Sequence, residues 1–230
     1  MTIPGTSAVR SRPVAPAVFD KGLLRASIGL AVVSIAGFGL LYSVAGVGLG
    51  QAIFPGAANG SLIERDGKVI GSSLVAQPFS GERYFTSRPS AVDYQPMAAG
   101  ASNQARTNPE LRKRVEEAVA AVARREGVQP SQVPGDMATQ SGSGFDPHIS
   151  PQGAAIQVRR VARATGLRPQ AVAELVAAHT QPPQFGLLGQ PRVNVLELNL
   201  ALDRLASQAE PVASAGAKAR GRREKMTVFR

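Results

Sequence analysis

Apolar and polar positions are distributed unevenly along this chain. Residues 26–63 carry no charged side chain, and the first 25 of them, 26–50, are Ala, Ser, Gly and aliphatic residues with one Phe and one Tyr. An α-helix of that length rises ~37 Å at ~1.5 Å per residue, more than the ~30 Å hydrocarbon core of a bilayer. The pattern predicts a membrane-spanning helix over 26–50. Its length favours a retained anchor over a secretory signal, whose apolar core runs to roughly 7–15 residues; the alternative is cleavage near Ser43-Val44-Ala45. Lipid attachment at a mature N-terminus would need a cysteine, and the sequence has none.

Within the span, Ala36, Gly39, Ser43, Gly46 and Gly50 step by 3, 4, 3 and 4, which places five small residues on one helix face. Helices in lipid associate through close backbone approach at such stripes. The expectation is a helix-packing face, against the plainer account that glycine is common in membrane spans.

Beyond the span the periodicity changes. Residues 51–61, with Pro55, Gly56 and Gly60, predict a loop. Leu62-Ile63-Glu64-Arg65-Asp66-Gly67-Lys68-Val69-Ile70 predicts a tight hairpin, because Asp-Gly supplies the positive φ of a two-residue turn. Arg83-Tyr84-Phe85-Thr86-Ser87-Arg88 reads either as a binding surface or as a strand end packing its rings inward. Asn108-Pro109 opens a helix with an N-cap, a first-turn proline and Glu110 at the positive end of the dipole. Leu111, Val115, Ala118, Val119 and Val122 line its inner face, and Gly127 closes it.

A second helix is predicted from Ser150-Pro151 to Gly166, with Ala154, Ala155, Val158, Val161 and Ala162 inward, and a third from Pro169 with Val172, Leu175 and Val176. The basic outer faces read as solvated surface. Leu196, Leu198, Leu200 and Leu202 alternate like a strand, yet Asn194 and Glu197 resemble a capping box, and Val195, Leu198, Leu202 and Leu205 share a helical face. The helix is preferred. The fold class is therefore a single N-terminal transmembrane helix plus one mixed α+β extracytoplasmic domain. Its limits are a basic cytoplasmic tail over 1–25, the span over 26–50, the domain over 51–206 and a basic tail over 207–230. Residues 1–20 and the second tail are expected to be disordered.

Charge refines this picture. The net charge of +10 divides into +3 over 1–25, +5 over 211–230 and only +2 over the rest. Basic residues flanking a span remain cytoplasmic, so Arg10, Arg12, Lys21 and Arg25 against Asp20 place the N-terminus inside the cell membrane and the body outside. Basic tails beside a lipid bilayer explain the charge without nucleic acid, for which stacking aromatics are few. Without cysteine there is no disulfide, thiolate metal site or cysteine nucleophile.

Candidate chemistry is concentrated in Ser141, Gly142, Ser143, Gly144, Phe145, Asp146, Pro147 and His148. A serine nucleophile with a local base is one reading, but Asp146 and His148 are two residues apart and no GxSxG elbow surrounds Ser143. A phosphate cradle lacks its Gly-Lys-Ser/Thr ending, and His148 and His179 have no metal-ligand spacing. The alternative is a tight loop bonded to its own backbone that caps the next helix. Arg192, in a Pro/Gly-rich stretch after His179, could pair with a carboxylate inside the body or across an interface. Hydrolase and solute-binding functions stay open on these residues.

In order, the span, Tyr84-Phe85-Thr86-Ser87-Arg88-Pro89-Ser90-Ala91, the stretch 141–151, the helix 157–166 and Gly189-Gln190-Pro191-Arg192-Val193-Asn194-Val195-Leu196-Glu197-Leu198-Asn199-Leu200-Ala201-Leu202-Asp203 resemble the C subunit of the potassium-transporting P-type ATPase, the bacterial Kdp system. The resemblance runs over about 25–205. Gln190 departs from an expected acid, Gln104-Ala105-Arg106 from an expected apolar and Gly-Pro segment, and the tail beyond Ala206 from the family's usual ending. The resemblance implies a non-catalytic accessory subunit of a high-affinity potassium uptake pump, described in the family as a catalytic chaperone raising ATP affinity. It implies three partners: a channel-like potassium-selective subunit, a P-type ATPase catalytic subunit and a small membrane subunit. ATP and potassium would act on the complex, with no cofactor held by this chain. A body outside the membrane cannot touch cytoplasmic ATP, so a stabilising cap over the potassium entrance is the expected role.

Overall fold

The computed structural model describes residues 21–209, and the expectations for 1–20 and 210–230 lie outside the described residues. The chain divides into two compact units after Asn59. In the first, α1 (Lys21–Ser34), a π-helical stretch (Ile35–Leu41) and α2 (Tyr42–Ile53) follow without a break. The apolar helix long enough to cross a membrane is Gly22–Ile53, 32 residues, which contains the predicted 26–50 and runs past it at both ends. Its side chains are almost all exposed. The π stretch closes with the Tyr42 N–H donating to the Gly37 carbonyl, one residue further back than in an α-helix. Ala36 and Gly39 of the small-residue stripe lie within it.

The predicted loop after residue 50 is largely helical instead. Phe54, non-helical at φ −132° and ψ 60°, interrupts the helix, and Pro55 restarts it as α3 (Pro55–Ala58), proline being pre-set for a first turn. Gln51 and Asn59 side chains exchange amide hydrogen bonds of 3.0 and 3.1 Å across it.

The second unit begins with the expected hairpin, β1 (Leu62–Arg65) and β2 (Lys68–Ser72). Asp66 and Gly67 both have positive φ, 53° and 72°, matching the right-handed strand twist. An irregular stretch leads to α4 (Pro109–Glu126), capped by Asn108 Oδ1 accepting from the Glu110 N–H and ended by left-handed Gly127. Then come α5 (Gly135–Ala138) and β3 (His148–Ile149).

The single helix predicted from Ser150 to Gly166 is two, α6 (Pro151–Ala155) and α7 (Val158–Thr165). The Gln157 side chain explains the break: its Nε2 donates to the Gly153 carbonyl, the acceptor its own backbone N–H would use, and that N–H turns to Ala154. The displaced turn leaves Ala155 exposed, contrary to expectation, while Ala154, Val158, Val161 and Ala162 are buried.

After α8 (Pro169–Ala178), β4 (Thr180–Gln181) and β5 (Arg192–Asn194) complete a three-stranded antiparallel sheet in the order β3-β5-β4. Ile149 and Thr180 both face Val193 across β5. Asn194 ends the central strand and caps α9 (195–209), its Oδ1 accepting from the Glu197 N–H. The preferred helix is therefore present and extends past residue 206. Leu198 and Leu202 on α9 meet Val193, Val161, Val172 and Phe85 in the core.

Candidate functional site

The 141–148 loop folds around its first serine. Ser141 Oγ accepts from the Gly144 N–H (2.9 Å) and the Asp146 N–H (3.3 Å) and lies 3.2 Å from Ser143 Oγ, which accepts from the Phe145 N–H. Backbone bonds anchor the loop outward to Pro89, Gly100, Ala76 and Val195. Asp146 Oδ1 accepts from the His148 N–H at 3.0 Å and lies 3.4 Å from His148 Nδ1, and Arg88 Nη1 donates to Asp146 Oδ2 at 3.2 Å.

Asp146 and His148 are thus brought together, while both serine hydroxyls are engaged by the loop itself. That is the expected self-bonded loop with two corrections: His148 belongs to β3, and neither Asp146 nor His148 caps the next helix. The next helix is capped by Ser150, whose Oγ accepts from the Gly153 N–H and donates to Asp136 Oδ1.

Burial pushes the Asp146 carboxyl upward, but the His148 ring and backbone bonds, the Arg88 charge and the His148 charge outweigh it and hold the group below its ordinary value. Asp136, Arg88, His148, Ser150, Gln190 and Arg192 surround an open cleft of about 440 Å³. Arg192 finds no carboxylate among the described residues; its Nε donates to Gln181 Oε1 at 3.2 Å.

A second polar centre lies deeper and was not foreseen. The stretch predicted as a strand end, Tyr84-Phe85-Thr86, is irregular, yet its backbone is as well bonded as a strand's. Asn199 exchanges both bonds with Phe85, its Oδ1 accepting from the N–H and its Nδ2 donating to the carbonyl, each at 2.9 Å. Gln157 does the same for Thr86, at 2.9 and 3.3 Å. Arg160 Nη1 donates to the Glu82 and Tyr84 carbonyls, and its Nη2 to Gln157 Oε1. Two side-chain amides and a guanidinium replace a neighbouring strand. Phe85 is thereby fully buried, while Tyr84 turns its hydroxyl to Asp203 at 3.2 Å.

The charge of Arg160 is met by Glu126, 2.9 Å away, and Arg125 adds a bond of 2.6 Å to the same carboxylate. The Arg160 side chain is 5% exposed and that of Glu126 0%, so α7 is not a wholly solvated basic face. Two signals in the sequence point here. Gln157 and Asn199 interrupt apolar helical stripes, and Glu126 sits in the last turn of α4, where an acid opposes the helix dipole unless a cation meets it.

These units define a class: a membrane-associated chain with one N-terminal candidate span and one mixed helix and sheet body. The comparisons narrow it. The family described as KdpC, K+-transporting ATPase, c chain matches residues 24–204, and the chain belongs to this family. The Potassium-transporting ATPase KdpC subunit of Xanthomonas campestris pv. campestris (strain B100) is 58% identical over 185 residues, covering 80% of this chain and 88% of the relative. The subunit of the same description from Burkholderia cenocepacia (strain ATCC BAA-245 / DSM 16553 / LMG 16656 / NCTC 13227 / J2315 / CF5610) is 51% identical over 193 residues, covering 82% and 98%. That from Shewanella putrefaciens (strain CN-32 / ATCC BAA-453) is 50% identical over 187 residues, covering 81% and 92%.

Proposed function

We propose that this chain is a non-catalytic accessory subunit of a high-affinity, ATP-driven potassium uptake pump, needed for assembly and stability of the complex. The observation that carries the non-catalytic reading is how the polar groups are spent. Ser141, Ser143, Gln157, Asn199, Arg160 and Glu126 all bond to backbone or to one another. Membership of the family supplies the assembly.

The partners in this proposal are a channel-like potassium-selective subunit, the P-type ATPase catalytic subunit and a small membrane subunit. ATP and potassium act on that complex. The basic residues before the span favour a cytoplasmic N-terminus and an extracytoplasmic body, which acts as a stabilising cap over the potassium entrance. Any chaperone-like effect on ATP affinity then passes through the span. The span docks through Ala36, Gly39, Ser43, Gly46 and Gly50, whose small side chains allow close backbone approach of another helix.

The test is recovery of a tagged chain from gently solubilised membranes, comparing the native span with a Gly46→Leu/Gly50→Leu variant and assaying potassium-stimulated ATPase. The native chain should bring down the ATPase and channel-like chains, and the leucines should cut recovery about tenfold by blocking close helix approach. If the native chain recovers neither partner, the proposal is wrong. Full recovery with the leucines moves docking to the body.

A further inference from the structure

The hairpin connection from β4 to β5, residues 182–191, reads Pro-Pro-Gln-Phe-Gly-Leu-Leu-Gly-Gln-Pro and carries no charge. Its tip is ordered. Gln184 and Leu188 pair across it, the Gln184 N–H donating to the Leu188 carbonyl at 2.8 Å and the Leu188 N–H returning the bond at 2.9 Å. The Gly186 N–H donates to Pro183. Phe185 is held at φ 56°, a left-handed conformation that is strained for a bulky residue. This backbone leaves Phe185 88% and Leu187 83% exposed. The base of the arm is rigid, because β5 is the central strand and Val193 is fully buried.

We propose that this tip is a docking plug, seating Phe185 and Leu187 in an apolar groove of another protein chain of the ATPase. The proposal rests on the accessory-subunit reading. A strained backbone that presents an aromatic and a leucine to water gains nothing within the chain, and the cost is recovered where a partner covers them. A pre-ordered tip loses little conformational entropy on docking, and a buried aromatic anchor with a polar rim is the usual energetic centre of an interface. The rim here is uncharged: Gln184, Gln190 and the prolines. A bilayer-dipping segment gains from basic residues that meet anionic headgroups, and residues 182–191 supply none. A protein groove is the occupant that fits.

Because the chain lacks cysteine, Leu187→Cys provides a unique attachment point for a polarity-sensitive dye in the full-length protein. In the purified complex the dye should shift to the blue, lose access to iodide about tenfold relative to the chain alone, and remain unquenched by brominated lipids, as for a side chain in a desolvated protein pocket. A dye open to iodide in the complex overturns the proposal. Quenching by brominated lipid also overturns it, in favour of the bilayer.

In parallel, unlabelled Phe185→Ser/Leu187→Ser should lower recovery of the complex about tenfold without moving the thermal midpoint of the isolated chain, since neither side chain is in its core. Unchanged recovery overturns the plug even if the dye itself blocks assembly. Failure of the native chain to recover any partner instead refutes the subunit reading, which separates the two.

Discussion

Gly144 sits at φ 85°, and a Cβ built on it would lie 2.3 Å from Val92 Cγ2 and 2.9 Å from the Gly100 carbonyl oxygen. Backbone conformation and space thus both require glycine, and the Gly144 N–H is one of the groups that Ser141 gathers. Gly144→Ala is expected to lower stability by about 2–4 kcal/mol, from a left-handed alanine and a clash that the backbone cannot easily relieve. Comparison of denaturant midpoints between native and variant chains measures it. A loss under 1 kcal/mol would mean that the loop adapts.

At the scale of elements, the buried Glu126–Arg160 ion pair joins α4 to α7, and Arg160 carries the link on to the Glu82 and Tyr84 carbonyls. Glu126→Ala leaves the Arg160 guanidinium buried with its charge unmatched, an expected loss of about 3–5 kcal/mol. Thermal unfolding checks this, and Glu126→Gln should recover part of it by keeping a carbonyl acceptor for the Arg160 N–H.

The elements themselves were largely legible: Asn108, Asp66-Gly67, Asn194 and the apolar spacing of α8 act locally and are found where their grammar places them. What was hidden depends on groups far apart in the chain. Nothing near Thr86 announces that Gln157 will bond it, and nothing near Gly153 says that a side chain four residues later will take its carbonyl and split a helix. The motif loop was legible as a self-bonded turn, because its acceptors and donors lie within a few residues. The network behind it was not, although two amides on apolar stripes and an acid at a helix C-terminus were its traces.

For the whole molecule, acid is the condition that tests how the pieces are joined. Asp146 links β3 to the 83–91 segment through Arg88, and its folded pKa is lowered. The sign follows from linkage: an unfolded chain binds the proton first, so the contribution is complete above the ordinary carboxylate value of ~3.9 and is lost as pH falls through the lower folded value. Asp146→Asn should therefore be less stable than the native chain at neutral pH, with the difference shrinking as pH drops below about 4. Urea titrations of both proteins across that range read it directly. A difference independent of pH would refute a charged role for Asp146.

The pairing of Phe85 with Asn199 also bears on how the protein is made. The partners are 114 residues apart, so the ribosome has synthesised most of the chain before the amide that holds Phe85 exists. Until then the 82–86 stretch has unpaired backbone groups and an aromatic ring with no permanent place. A chain ending before Asn199 lacks the amide that exchanges both bonds with Phe85 and cannot lock this segment in that way.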